Sequence, residues 1–259
     1  MNKCRERGNL RKILIISGKS GIFKYLALEL RNGIQGDLKV FLACEESYNS
    51  VLRLILKRIK TFGFLMGINQ IIMRFIDIRF LRFRVEKNLK YQFDKLDIRI
   101  DSINSEVFRK FTLENRIDIV VCIGTSLVSQ NTLSTANIGF INIHPGYLPH
   151  YRGLGNFWAV INKDWEHIGV TCHWIDSGID TGEIIWKEKI TQLSNSYWGI
   201  NLDCFNTGIN FLKENLKVLE PGKNQPEKRN YRLYPWFGIS DYIKFKVHLR
   251  KRRIENSFF

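Results

Sequence analysis

Short apolar runs separated by segments of helical periodicity dominate the first half of the sequence, and they constrain the fold most. Four runs have the length and the continuous apolar character of buried strands: Ile13–Ser17, Leu38–Ala43, Leu96–Ile100 and Ile117–Ile123. Fully apolar strands that alternate with helices are typical of a parallel sheet covered by helices on both faces. The sequence therefore predicts an α/β fold with a mostly parallel sheet, whose ligands bind where the strands end.

The rest of the sequence continues the pattern with three more strands and three helices. The spacing predicts strands over Phe140–Ile143, Ile168–Ile175 and Glu183–Ile190, and helices over Ser105–Glu114, Asn156–Asn162 and Asn195–Leu219. A polar linker, Lys223–Asn230, then leads into an aromatic and basic tail. We expect a main domain over residues 1–200 and a shorter C-terminal part, a helix, linker and tail, over residues 201–259.

The net charge of +15 is concentrated in two stretches. Val51–Arg84 carries a net charge of +7 and interrupts the strand pattern, and Lys244–Arg253 adds six basic residues without an acid. The first stretch reads as a basic insertion of one or two amphipathic helices, with a break near Gly63 or Gly67. An excess of this kind suits an anionic partner, and it belongs to an insertion and a tail rather than to the body of the protein.

Several classes of protein are disfavoured by the sequence. No apolar run approaches the roughly 18 residues of a membrane-spanning helix, and the apolar stretch behind the basic N-terminus is too short for a signal peptide. The five cysteines are scattered without a Cys-x-x-Cys pair, which favours a reducing cytoplasm over a disulfide framework or a zinc ribbon.

The turn Gly18-Lys19-Ser20 is not a Walker A loop, because the position of the first glycine that this motif requires is occupied by Ile13. The turn is structural, or it holds an anion through backbone N–H groups.

An amide, an imidazole and a carboxylate stand out as candidate chemical groups. Asn142 and His144 share one face of a predicted strand that Pro145 ends, and Asp180 lies in a later loop, Asp176–Gly182. Such groups can polarise a carbonyl, stabilise an oxyanion and move a proton. From spacing alone, an ordinary Asp- and Gly-rich turn remains an alternative.

Four linked motifs resemble the folate-dependent formyltransferase family, whose members act on glycinamide ribonucleotide, methionyl-tRNA or amino sugars. They are Asn142–Pro145, Leu148–Gly153, Gly169–Thr171 and Asp176–Gly182, which occur in the order of that family. The chain departs from the family pattern at Gly146, where a serine is common, and in its basic insertion at 51–84. The resemblance implies a Rossmann-like sheet and a formyltransferase catalytic domain over residues 1–200.

The resemblance also implies a reaction and its residues. The chain would transfer a formyl group from N10-formyltetrahydrofolate, as cosubstrate and without a metal, to a primary amine. Asn142, His144 and Asp180 match the catalytic positions of the family. By the same resemblance we expect two binding sets, one for the folate at Thr125, Ser126, Leu127, Val128, Ile175, Asp176 and Ile179, and one for the acceptor at Gly18, Lys19, Ser20, Tyr147 and Arg152.

Three acceptor amines are compatible with the resemblance. We rank a nucleotide-linked amino sugar first, because the region after 190 is too short for the C-terminal barrel of the tRNA-directed enzymes, while its aromatic residues could stack on a base. Methionyl-tRNA, which suits the basic excess, and glycinamide ribonucleotide are the alternatives. A catalytically inert protein that binds a membrane surface or a partner through the basic insertion is a fourth. We expect a cytoplasmic homo-oligomer with possible peripheral contact to anionic membrane.

Overall fold

A seven-stranded sheet forms the centre of the molecule in the computed structural model, which describes residues 10–34, 36–46, 60, 64–77, 81, 87, 89, 96–222 and 231–256. Its strands lie in the order β3-β2-β1-β4-β5-β7-β8. Their bounds are Arg11–Ser17 for β1, Leu38–Glu45 for β2, Ile98–Ile100 for β3, Ile119–Ile123 for β4, Gly139–His144 for β5, Gly169–Trp174 for β7 and Ile184–Lys189 for β8.

The first five strands of this sheet run parallel, and β7 and β8 run antiparallel to their neighbours. Successive side chains of β1 feed two separate cores, because a strand presents alternate residues to opposite faces. Ile13 and Ile15 pack into one core, and Leu14 and Ile16 pack into the other. The predicted α/β fold with a mostly parallel, Rossmann-like sheet is confirmed.

Helices cover the sheet on both faces. Among the described residues they are α1 (Gly21–Gly33), α2 (Phe64–Ile76), α3 (Glu106–Glu114), α4 (Gln130–Leu133), α5 (Gly155–Ile161), α6 (Tyr197–Asn215) and α7 (Ile239–Asn256). The predicted cap of α3 is present, since the Ser105 side chain accepts a hydrogen bond from the backbone N–H of Phe108 at 3.2 Å. Helix α6 packs against α1, β5 and β7.

Helix α2 is the part of the basic insertion that the structure describes in continuity. It runs through Gly67 without interruption, so the break predicted there does not occur. A single glycine costs a helix only about 1 kcal/mol relative to alanine, which packing readily offsets. The alternative break at Gly63, and most of the rest of 51–84, lie outside the described residues.

The C-terminal segment, residues 231–256, adds a short strand and a helix to the domain. Strand β9 (Leu233–Tyr234) pairs in parallel with β6 (Arg152–Gly153), just after β5. Helix α7 then packs against α5, where the rings of Phe157 and Phe237 stack at 3.9 Å between centroids. The sequence predicted only an aromatic and basic tail here, because the apolar residues of α7 lie on two faces and blur the helical period. The division at residue 200 stays a prediction.

Candidate active site

The candidate site begins at the ends of two antiparallel strands. In the register of β5 and β7, Asn142 lies directly opposite His173. Their side chains meet, with Asn142 Nδ2 3.2 Å from His173 Nε2. His173 was not among the predicted site residues, since nothing in the local sequence shows that its strand pairs with β5.

The proton of the His173 ring has a defined position. Nδ1 lies 2.8 Å from the backbone carbonyl oxygen of Trp174, which can only accept, so Nδ1 carries the hydrogen. Burial lowers the pKa of His173 below its usual value, and the nearby Asp180 carboxylate only partly opposes this effect. A neutral ring then has its lone pair on Nε2 and accepts an N–H from Asn142. This contact fixes the orientation of the Asn142 carboxamide.

The carboxylate of Asp180 lies between the two histidines. Its Oδ2 is 3.5 Å from His144 Nδ1, and its Oδ1 is 3.7 Å from His173 Nε2. The backbone N–H of Gly153 donates to Oδ2 at 2.8 Å. Asp180 adopts a left-handed backbone conformation, with φ of 52°, which is uncommon outside glycine and often marks a functional position. The three residues that the motifs singled out therefore lie together.

His144 belongs to this group but faces away from the open space. Its ring is buried, and Nε2 lies 3.0 Å from the carbonyl oxygen of Tyr151. With Nδ1 toward Asp180, both ring nitrogens face protein oxygen atoms. His173, rather than His144, is the imidazole that borders the adjacent cavity.

That cavity has a volume of about 430 Å³ and is bordered by Asn142, His173 and Asp180. Side chains from α1, α6 and the C-terminal segment form an aromatic part of its wall: Phe23, Tyr197, Trp198, Phe205 and Trp236. All seven residues predicted to contact a folate also line it: Thr125, Ser126, Leu127, Val128, Ile175, Asp176 and Ile179. The pocket therefore lies at the carboxyl ends of the parallel strands β4 and β5, together with the loop that follows β7, which is the edge where the fold class predicts ligand binding.

A buried acid that the sequence analysis overlooked holds one wall of the cavity in place. Glu45, at the end of β2, accepts the backbone N–H of Ser126 at 2.8 Å and that of Ile103 at 3.0 Å. A buried carboxylate is tolerated when such hydrogen bonds satisfy it. The position of Glu45 near the carboxyl end of a predicted strand was the feature of the sequence that could have identified it. The opposite wall is tied internally, because Thr181 donates to Asp176 at 2.6 Å.

The five residues predicted to bind the acceptor do not border the cavity. The N–H of Gly18 donates to the Ile123 carbonyl at 2.9 Å, so that group is not available for an anion. Arg152 donates to the carbonyl oxygens of Ile179 at 2.8 Å and Tyr231 at 3.1 Å. Lys19 and Ser20 lie in the same turn as Gly18, and Tyr147 packs under the Lys187 ammonium at 4.4 Å. Contact of these residues with a substrate stays a prediction.

The described residues contain neither a candidate metal-binding group nor a candidate membrane-spanning helix. Within the described ranges, no group of three or more His, Cys, Asp or Glu side chains is arranged to hold a metal ion. None of the helices described is long and apolar enough to cross a bilayer. The described cysteines, Cys44, Cys122, Cys172 and Cys204, are free and buried.

Comparisons with known proteins agree with this geometry. The formyl transferase family model matches residues 90–196. A methionyl-tRNA formyltransferase of Agathobacter rectalis is 35% identical over 140 residues, which cover 53% of this chain and 44% of that protein. The match thus spans less than half of that relative's length.

Two solved structures share the fold. A 4-N formyltransferase from Francisella tularensis superposes with a TM-score of 0.56 at 16% identity, over 93% of this chain and 88% of that one. Glycinamide ribonucleotide transformylase 1 from Symbiobacterium toebii gives 0.51 at 17% identity, over 84% and 91%. The segment that the formyl transferase family model matches, 90–196, holds Asn142, His144, His173 and Asp180, in agreement with the resemblance that the motifs indicated.

Proposed function

We propose that the chain transfers a formyl group from N10-formyltetrahydrofolate to a primary amine, that of a nucleotide-linked amino sugar. The observation that carries the proposal is the convergence of Asn142, His173 and Asp180 on one border of an open cavity, with His144 behind them. An amide donor and a carboxylate beside a pocket suit acyl transfer from a stable amide.

The carboxamide of Asn142 would stabilise the charge that develops during the reaction. The amine nitrogen attacks the formyl carbon, and negative charge builds on the formyl oxygen. One N–H of Asn142 is held by His173 Nε2, and the other would donate to that oxygen. A donor placed in this way is worth about 3–4 kcal/mol of transition-state stabilisation. His173 acts as a positioning residue, because it keeps the amide nitrogen rather than the amide oxygen toward the substrate.

Asp180 would handle the proton of the reaction. As the new carbon–nitrogen bond forms, the amine loses a proton to the carboxylate, directly or through water. When the bond from the formyl carbon to N10 breaks, N10 takes a proton and leaves as tetrahydrofolate, so charge and atoms balance. His144 lies 3.5 Å from the carboxylate and, when protonated, would stabilise its charged form.

The formyl donor would lie between the two walls that the cavity already has. One is the loop Gly124–Val128, which Glu45 fixes through Ser126, and the other is Ile175–Asp180. The seven predicted folate contacts lie on these walls, which supports this placement.

The aromatic wall of the cavity favours a small nucleotide-linked acceptor. Trp236, from the C-terminal segment, and Trp198, from α6, line the cavity, and aromatic side chains in such a wall can contact a base or a sugar. Residues 231–256, which supply Trp236, form one short strand and one helix. Methionyl-tRNA is the second candidate, because the curated relatives with matching sequence act on it by name.

A competition between acceptors tests the proposal. The full chain would be given N10-formyltetrahydrofolate with a nucleotide-linked 4-amino sugar, with glycinamide ribonucleotide or with charged initiator tRNA, and release of tetrahydrofolate would be followed. We expect turnover with the amino sugar and a rate at background with the other two. Turnover only with tRNA would overturn the ranking of acceptors, and no turnover with any amine would overturn the reaction.

A further inference from the structure

We propose that the outward face of α7 docks on an anionic membrane surface. The inner face of this helix is part of the core, where Phe245 and Leu249 are buried. On its outward side Ile239, Ile243 and Val247 keep between 38% and 58% of their surface exposed. They are spaced four residues apart and so form one stripe along the helix. We refer to these three residues as the α7 stripe.

Basic residues lie beside and within the α7 stripe. At 100° per residue, Lys244 and Lys251 lie along one edge of the α7 stripe, and Arg250 lies within its line. All three are exposed, and the sequence contains no acid between Tyr242 and Ile254. Aliphatic residues flanked by Lys and Arg are characteristic of helices that lie in the interface of a bilayer with anionic headgroups.

The side chains of this face also argue against two other partners, a second copy of the chain and a nucleic acid. A symmetric contact between two copies would place the same cations of both helices against each other, which is unfavourable. Nucleic acid is recognised by polar groups and by flat rings that stack on bases, whereas Ile and Val offer neither. Only a surface with both negative charge and an apolar interior matches the whole face.

Helix α2 extends the apolar area next to α7. The two helices pack together, and the backbone N–H of Ile239 donates to Asn69 Oδ1 at 3.1 Å. On α2, Phe64, Leu65 and Phe75 are each between 65% and 82% exposed. Aromatic and aliphatic side chains of this kind commonly enter the headgroup region beside a basic helix. The proposal is independent of the catalytic one, since α7 borders the cavity only through the segment that precedes it.

Sedimentation with vesicles tests the proposal on the full chain. Vesicles of phosphatidylcholine alone would be compared with vesicles that also contain phosphatidylglycerol. We expect binding to the second kind that weakens with added salt and little binding to the first. Ile243→Ser with Val247→Ser should lower the partition coefficient about tenfold, and removing Lys244 or Lys251 should lower it about fivefold each.

Two matched variants and one further measurement complete the design. Val107→Ser and Lys110→Ser change the same residue types on α3, away from α7, and should leave vesicle binding unchanged, while thermal melting checks that every variant is folded. Equal binding to both vesicle types would overturn the proposal. So would a dimer in light scattering that Ile243→Ser and Val247→Ser dissociate, or binding of tRNA, with none of vesicles, that the Lys251→Ser variant loses.

Discussion

Single side chains at this site take roles that depend on what faces them. In the proposed reaction Asn142 is the oxyanion donor. His173, which lies opposite it in the sheet, can accept one of its N–H groups because the Trp174 carbonyl holds the His173 proton on Nδ1. Asp180 stays beside both histidines because Gly153 anchors it. Each role therefore rests on a neighbour that is distant in the sequence.

Removal of the catalytic groups is the first prediction at this scale. Asn142→Ala should lower kcat/KM about 100- to 1000-fold, because one oxyanion donor is lost, and His144→Ala and Asp180→Ala should also abolish transfer. Steady-state assays with the accepted amine would measure this, and thermal melting would show that the fold persists. Asn137→Ala, which alters an exposed asparagine on a nearby turn, is the control. Turnover close to wild type in any of the three would remove that residue from the mechanism.

The pH dependence of His173 is the second prediction. Burial lowers its pKa, so below the ordinary value of about 6.5 the unfolded chain binds a proton that the folded chain does not. The free energy of unfolding should therefore fall as the pH decreases through this region. Protonation would also remove the acceptor for Asn142, so kcat should fall on the acid side at a pH below that ordinary value.

His173→Gln separates these effects from general acid sensitivity. Denaturant unfolding at several pH values should show a weaker dependence in the variant, and its kcat should lack the acid limb that His173 causes. We expect kcat at neutral pH to fall about tenfold, while KM for the formyl donor changes little. An unchanged acid limb in both measurements would show that His173 does not position Asn142.

At the scale of elements, a short strand pair ties the catalytic loop to the C-terminal segment. Strands β6 and β9 hold Gly153 in place, and the guanidinium of Arg152 reaches both the loop that carries Asp180 and the residue that starts the segment. In the structure two of its N–H groups donate to backbone carbonyls, so the side chain joins these elements. Its contact with the acceptor stays a prediction.

Loss of this tie is the third prediction. Arg152→Met should lower the free energy of unfolding by about 1.5–3 kcal/mol, the range for hydrogen bonds to a charged group. The variant should also lower kcat about tenfold, because Arg152 binds the carbonyl of Ile179, the residue that directly precedes Asp180. Arg152→Lys keeps the charge without the forked donors, so its stability and its kcat should lie between those of the wild type and Arg152→Met. Denaturant unfolding and turnover are the measurements, with the exposed Arg232→Met as control. A stability loss with unchanged kcat would limit Arg152 to a structural part.

At the scale of the molecule, the C-terminal segment is part of the domain core. Phe237 and Phe245 are buried and stack on Phe157, so α5, α7 and the main sheet share one apolar cluster. The same segment supplies Trp236 to the cavity wall. Stability of the fold and the shape of the acceptor side are therefore linked through a few aromatic rings.

Truncation of one such ring is the fourth prediction. Phe237→Ala should lower the free energy of unfolding by about 3–5 kcal/mol, because a large buried ring is replaced by a cavity. Ile243→Ala, on the exposed side of α7, should change it by less than about 0.5 kcal/mol. Urea unfolding of both variants measures the difference. A cost for Phe237→Ala as small as that of the control would mean that the segment is not integrated into the core.

Local sequence determined the strands, most of the helices and the residues of the formyl transferase motifs. These follow from periodicity and turn chemistry over a few residues, so Ile13–Ser17 or the Ser105 cap could be read directly. The gathering of Asn142, His144 and Asp180 could also be predicted, because motif order fixes which loops meet at the sheet edge. Helix α7 was missed, since apolar residues on its outward face hide the usual two-sided pattern.

Only the tertiary structure decided which atoms these side chains face. The antiparallel pairing of β5 with β7 brings His173 to Asn142, and the docking of β9 on β6 brings Arg152 to the carbonyl groups of Ile179 and Tyr231. The turn of His144 toward Tyr151 has the same origin. Such contacts join residues that are far apart along the chain, and their free energies depend on packing and desolvation at the meeting point, about which local propensity carries no information.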